Sequence, residues 1–167
     1  MDCWGVSMDL TILKEKFEKL TVVKVPNAII GDIRKFKNYD PARIIHYELI
    51  ENEMCIYMEE KKRLEAMEEF KSTIEALQFE VERGVSPETE SFLSFRFDSA
   101  LTNFIFVVKK ELFERDITAE MIEKSIVEDA LKYQIYSGKP IGVHVYYYDS
   151  ETNNLIKECS YPETSQR

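Results

Sequence analysis

The residues of this chain best suited to chemistry are His144, Tyr146 and Tyr148, which alternate with Val143, Val145 and Tyr147. Alternation at period two marks a β-strand, so the imidazole and the two phenols are expected to share one face. A titratable base in a row with two phenols could form a small-ligand site, serve an enzyme, or meet a partner protein. Aromatic side chains with a polar tip are favoured at interfaces. The plain structural explanation is an outer sheet face partly covered by a helix or a neighbouring strand, because aromatics are also good strand formers. His46, beside Glu48 on an expected wet strand face, is a weaker candidate.

Other chemistries find less support. The five glycines are too dispersed for a G-x-G-x-x-G turn or a P-loop, so nucleotide binding by those routes is excluded. His46 and His144 are the only imidazoles, and neither has a His, Cys or carboxylate at metal-ligand spacing, so no metal and no cofactor is expected. No G-x-S-x-G or similar local signature joins a nucleophile to a base and an acid. Cys55 and Cys159 read as small buried hydrophobes within strands, and Cys3 beside Trp4 as an oxidisable thiol near the terminus. The carboxylate pairs Glu59-Glu60, Glu68-Glu69 and Glu128-Asp129 fall on expected outer helix faces, where a solvated surface explains them better than acid–base work across a cleft.

The charge of the chain narrows its partners. Twenty-two basic side chains stand against 31 acidic ones, a net charge of −9 over 167 residues. A nucleic-acid binder needs a basic face to neutralise phosphates, so no nucleic-acid partner is expected. The excess is uneven. Residues 1–40 hold 7 basic and 6 acidic groups, residues 41–84 hold 6 and 11, and residues 85–167 hold 9 and 14. Arg34, Lys35, Lys37 and Arg43 make the one locally basic stretch. An acidic helix beside such a segment would suit electrostatic docking of a protein partner or of a second copy. Mimicry of DNA by carboxylate rows is the extreme form of that idea.

Three cysteines, an odd number without a C-x-x-C pair, point to reduced thiols and a cytoplasmic protein. The first twenty residues carry Lys14, Lys16 and Lys19 in an amphipathic pattern and do not read as a signal peptide. No apolar run approaches the roughly 20 residues that span a bilayer, so no membrane partner is expected.

The elements that must position these residues follow from periodicity. Leu10, Leu13, Phe17 and Leu20 form one helical stripe, and Thr21 to Val25, ending at Pro26, reads as a short strand. Two readings compete over residues 42–58. In one, Ile45, Tyr47 and Leu49 alternate on a strand, Glu51-Asn52-Glu53 turns, and Cys55 to Met58 returns. In the other, Asp40 caps a helix with Pro41 at its first position, and the stripe runs on to Val81. The hairpin is favoured, since the rival helix would exceed 40 residues where the mean is about 11–12.

A helix from about Glu60 to Leu77, with Leu64, Met67, Phe70, Ile74 and Leu77 inward, holds in either case. Residues 78–82 could extend it or open a strand before Gly84 and Pro87. Leu93, Phe95 and Phe97 alternate as a strand with one wet face, and the wholly apolar run Phe104 to Val108 reads as a strand covered on both. Those two should form a hairpin. Thr118 starts a further helix that ends before Gly138 and Pro140, with Ile122, Ile126, Ala130 and Tyr133 buried. Strands over about 141–148 and 155–159 complete the chain.

The expected fold is α+β: one globular domain over 1–167, a mainly antiparallel sheet of about five to seven strands with about three helices on it, and frayed ends at 1–6 and 162–167. The expected role is a non-catalytic binding or regulatory domain that acts through protein–protein contact and self-associates. A ligand-binding protein or enzyme using His144, Tyr146 and Tyr148 is the first alternative, and an acidic DNA mimic the second.

Overall fold

A computed structural model describes residues 19–26, 42–84 and 86–162. The expected helix over Leu10 to Leu20 up to residue 18, most of the basic stretch from Arg34, the Cys3–Trp4 pair and the ends at 1–6 and 163–167 lie outside the described residues. The chain divides between Glu65 and Ala66 into two compact units.

In the first unit, β1 (Thr21–Pro26), β2 (His46–Ile50) and β3 (Glu53–Met58) form an antiparallel sheet in the order β1-β3-β2. The hairpin reading of residues 42–58 is therefore the observed one. Its turn sits at Glu51-Asn52, with Glu51 in the left-handed region at φ 58°. Central β3 buries Met54, Cys55, Ile56 and Met58, and Val23 and Val25 of β1 are buried with them. At the start of the long helix α1 (Glu60–Arg83), Glu60 accepts bonds from Thr21 Oγ1 at 2.6 Å and from Arg63 Nε and Nη2 at 2.8 and 2.6 Å. The Arg63 and Thr21 hydrogen bonds hold the Glu60 carboxyl down to about 2, from 4.5.

From Ala66 onward α1 belongs to the second unit. Phe70 and Ile74 are buried as expected, but Ala66 and Val81 complete the stripe, and Leu64, in the first unit, stands 51% exposed. The ambiguous residues 78–82 extend the helix. Gly84 at φ 66° ends it, its N–H bonding the carbonyls of Glu80 and Val81, because glycine adopts the left-handed cap without a Cβ penalty.

After a single 3-10 turn at Pro87–Thr89 come β4 (Phe92–Phe97), β5 (Asn103–Val108), α2 (Lys110–Arg115), α3 (Ala119–Ser137), β6 (Val143–Asp149) and β7 (Leu155–Tyr161). The strands form a sheet in the order β4-β5-β6-β7. The α+β class and the strand number match expectation, although the seven strands lie in two sheets, not one. Among the described strands, only β5 and β6 pair in parallel. A parallel pair needs a crossover of a dozen or more residues, and α2 and α3 supply it. Buried Gln134 of α3 ties the crossover down, donating to the carbonyls of Leu101 and Gly142 at 3.0 Å each and accepting from Gly142 N–H at 2.8 Å.

The core of this unit lies between the helices and one sheet face. Phe95, Phe104, Phe106, Val143, Val145 and Tyr147 point inward against Ile74, Val81, Ile126 and Ala130. Phe106 stacks on both Phe95 and Tyr147, with centroids 5.0 Å apart in each pair. A bulge between Phe92 and Ser94 shifts the phase of β4, so that Phe92 joins Phe95 inside and Leu93, expected inward, faces out.

Candidate functional site

The four-stranded sheet has a second face, and the sequence candidates sit on it. Its centre is a cross-strand row of Arg96, Ile105, Tyr146 and Glu158, one residue from each strand. Beside it runs the row Ser94, Val107, Tyr148 and Leu155, and on the other side Asn103, His144 and Ser160. The expectation that β5 is covered on both faces does not hold. Ile105 is 43% exposed, and Leu155 at the sheet edge is 47% exposed. Tyr146, Tyr148 and Val107 are half-buried, while Arg96, Asn103, His144, Glu158 and Ser160 are exposed. β-branched and aromatic residues suit a pleated face whether or not it is covered, so an apolar run alone does not reveal which faces are wet.

His144, Tyr146 and Tyr148 therefore do share one face, as their alternation requires. His144 Nδ1 lies 2.9 Å from Ser160 Oγ across the β6–β7 pair. This is a base beside a hydroxyl on an exposed surface, where water competes for both groups. His46 is on β2 of the first unit, with Nε2 3.4 Å from Glu48 Oε2 and its ring 5.5 Å from that of Tyr57. Tyr57 also donates to Glu48. That cluster is an exposed cross-strand contact. Cys55 is a buried thiol as expected, and Cys159 is half-buried.

The other notable polar group went unread in the sequence. Glu123 of α3 is 2% exposed and accepts hydrogen bonds from the hydroxyls of Tyr147 and Tyr161. Lys157 Nζ stands 3.8 Å from the same carboxylate and 5.6 Å from the centre of the Tyr147 ring. Burial, then the hydrogen bond to Glu123, pushes the Tyr147 phenol far above its ordinary range. The signal for Glu123 was its spacing. It falls four residues after Ala119 and three before Ile126, on the same buried stripe. A carboxylate in that position needs donors, and the inward tyrosines of β6 and β7 provide them. With both phenols already committed and the carboxylate shut away from solvent, the cluster serves to hold β6 and β7 against α3.

A cavity of about 270 Å³ opens between α1 and α3, lined by Ile74, Leu77, Glu80, Ser125, Ile126 and Asp129 among others. Its lining is wholly helical and includes none of His144, Tyr146 and Tyr148. Burial raises the Asp129 carboxyl above its usual range. Among the described residues no group of three or more His, Cys, Asp or Glu side chains is placed to hold a metal ion, and no helix is long and apolar enough to cross a membrane. Comparison of the chain with known protein families, with curated proteins and with solved structures found no match.

Proposed function

We propose that this chain is a non-catalytic binding or regulatory domain that works through protein–protein contact, with the open face of the β4–β7 sheet as its contact surface and self-association as its mode. The observation that carries this reading is the composition of that face. An apolar and aromatic patch of Ile105, Val107, Tyr146 and Tyr148, reaching Leu155 on the edge strand, is flanked by Arg96, Asn103, His144, Glu158 and Ser160. Protein interfaces combine such groups, with a desolvated aromatic-rich centre inside a polar rim. The same patch supports protein contact over DNA mimicry, which calls for rows of carboxylates at the phosphate spacing. Light scattering across a concentration series tests the reading. The apparent mass should rise with concentration for the wild type and stay at the monomer value for Ile105→Lys. A wild type that remains a strict monomer at high concentration contradicts it.

The ligand reading of His144, Tyr146 and Tyr148 draws on one contact, the His144–Ser160 pair. A small-fragment screen followed by NMR would support it if compounds shifted His144 and Tyr146 together. Fragments that perturb neither residue would count against it.

A further inference from the structure

The central row of the open face carries opposite charges at its two ends, Arg96 on β4 and Glu158 on β7, with Ile105 and Tyr146 between them. Three strand spacings separate the ends by ~14 Å, too far for the two charges to meet within one sheet. Neither appears in an ion pair among the described residues. Building on the reading of this face as a contact surface, we infer that its partner is a second copy of the chain, docked face to face about a two-fold axis parallel to the strands.

That operation reverses each row onto itself. β4 of one copy lies over β7 of the other, and β5 lies over β6. Arg96 then meets Glu158 twice, once at each end, while Ile105 packs on Tyr146 twice in the middle. Packed sheets cross at roughly 30°, which displaces the row ends by only ~4 Å, within reach of an arginine side chain. The pairing is isologous and closes, so it stops at a dimer. The opposite alignment, with strands of the same number superposed, would set Arg96 against Arg96 and Glu158 against Glu158, and repulsion disfavours it.

Size sets the strength. Four strands of about six residues present ~400 Å² of face, against the ~800 Å² per partner of a standard stable interface. An interface that small falls among the weak, transient ones. Sedimentation equilibrium of the full chain up to about 0.5 mM reads the dimer. Arg96→Glu and Glu158→Arg should each raise the Kd about tenfold, because each reversal places two like-charge pairs in the dimer. The double variant Arg96→Glu/Glu158→Arg should return to within about twofold of wild type. Thermal melts of each variant verify folding, and both sites are exposed. A chain that dimerises, loses the dimer in Ile105→Lys, yet ignores the charge reversals overturns this register and leaves the contact reading standing. A dimer indifferent to Ile105→Lys, or a strict monomer, overturns the face itself.

Discussion

One strand, β6, presents the same side chain to two environments. Tyr147 points inward, stacks on Phe106, lies tilted against Phe113, and gives its hydroxyl to buried Glu123. Tyr146 and Tyr148, one residue to either side, stand on the opposite face beside Ile105, Val107 and Leu155. The inner phenol is locked by stacking and by a carboxylate that cannot find water. The outer phenols keep amphipathic surface available. A tyrosine's surroundings here are set by the parity of its position: the inner one is packed into the core, and the outer two stay half-buried on the open face.

Adjacent residues on the two faces allow that contrast to be broken. The largest effect is expected from Phe106→Ala, which empties a buried aromatic position and should lower stability by about 3–5 kcal/mol in denaturant titration. Its neighbour Ile105→Thr should cost under about 1 kcal/mol, since it changes an exposed strand position while keeping β-branching. Comparable losses at the two positions would mean that the outer face is also core.

Next comes Tyr147→Phe, which deprives a buried carboxylate of one of its donors and should cost about 1–3 kcal/mol, whereas Tyr146→Phe should stay within about 0.5 kcal/mol. The same phenol gives an alkaline signature. Its folded-state value lies above the ordinary 10.0, so the stabilisation is complete below about pH 10 and is lost as the pH rises further. A wild-type melting temperature that falls more steeply above pH 10 than that of Tyr147→Phe would bear this out.

The smallest effect belongs to Glu60, a carboxylate at the surface where Glu123 is one in the core. Its folded value is about 2 against 4.5, so its contribution is present above about pH 4.5 and disappears as the pH falls toward 2. The gap in melting temperature between wild type and Glu60→Gln should be small at pH 7 and close between pH 4.5 and 2. A gap that widens on acidification would contradict the assignment.

Much of this arrangement is legible in residue order alone. The alternation of Val143 to Tyr148 and the stops at Gly84 and Gly138 are local signals, and local signals translate directly into elements, whereas length alone favours the hairpin of residues 42–58 over a helix. The bulge at Phe92–Ser94 is different. One extra residue reverses which side chains face inward, and nothing in Phe92-Leu93-Ser94 marks it. The short helix α2 lacks both a side-chain cap and a buried residue of its own, so periodicity has nothing to register. Leu64 belongs to the helical stripe by spacing but stands largely exposed, a matter of what lies opposite a helix and not of the helix itself. Glu123 was hidden for a related reason. Its partners Tyr147 and Tyr161 are 24 and 38 residues away, and only the fold brings them together.

The claim that the outer face of the β4–β7 sheet is a self-association surface can be read residue by residue. Amide chemical shifts of the uniformly labelled chain, followed from about 20 μM to 0.5 mM, should move at Arg96, Ile105, Val107, Tyr146, Tyr148 and Glu158, and stay constant at the inward Phe95, Phe106 and Tyr147. Shifts that stay constant on the outer face across that range, or that move only elsewhere, would contradict the account.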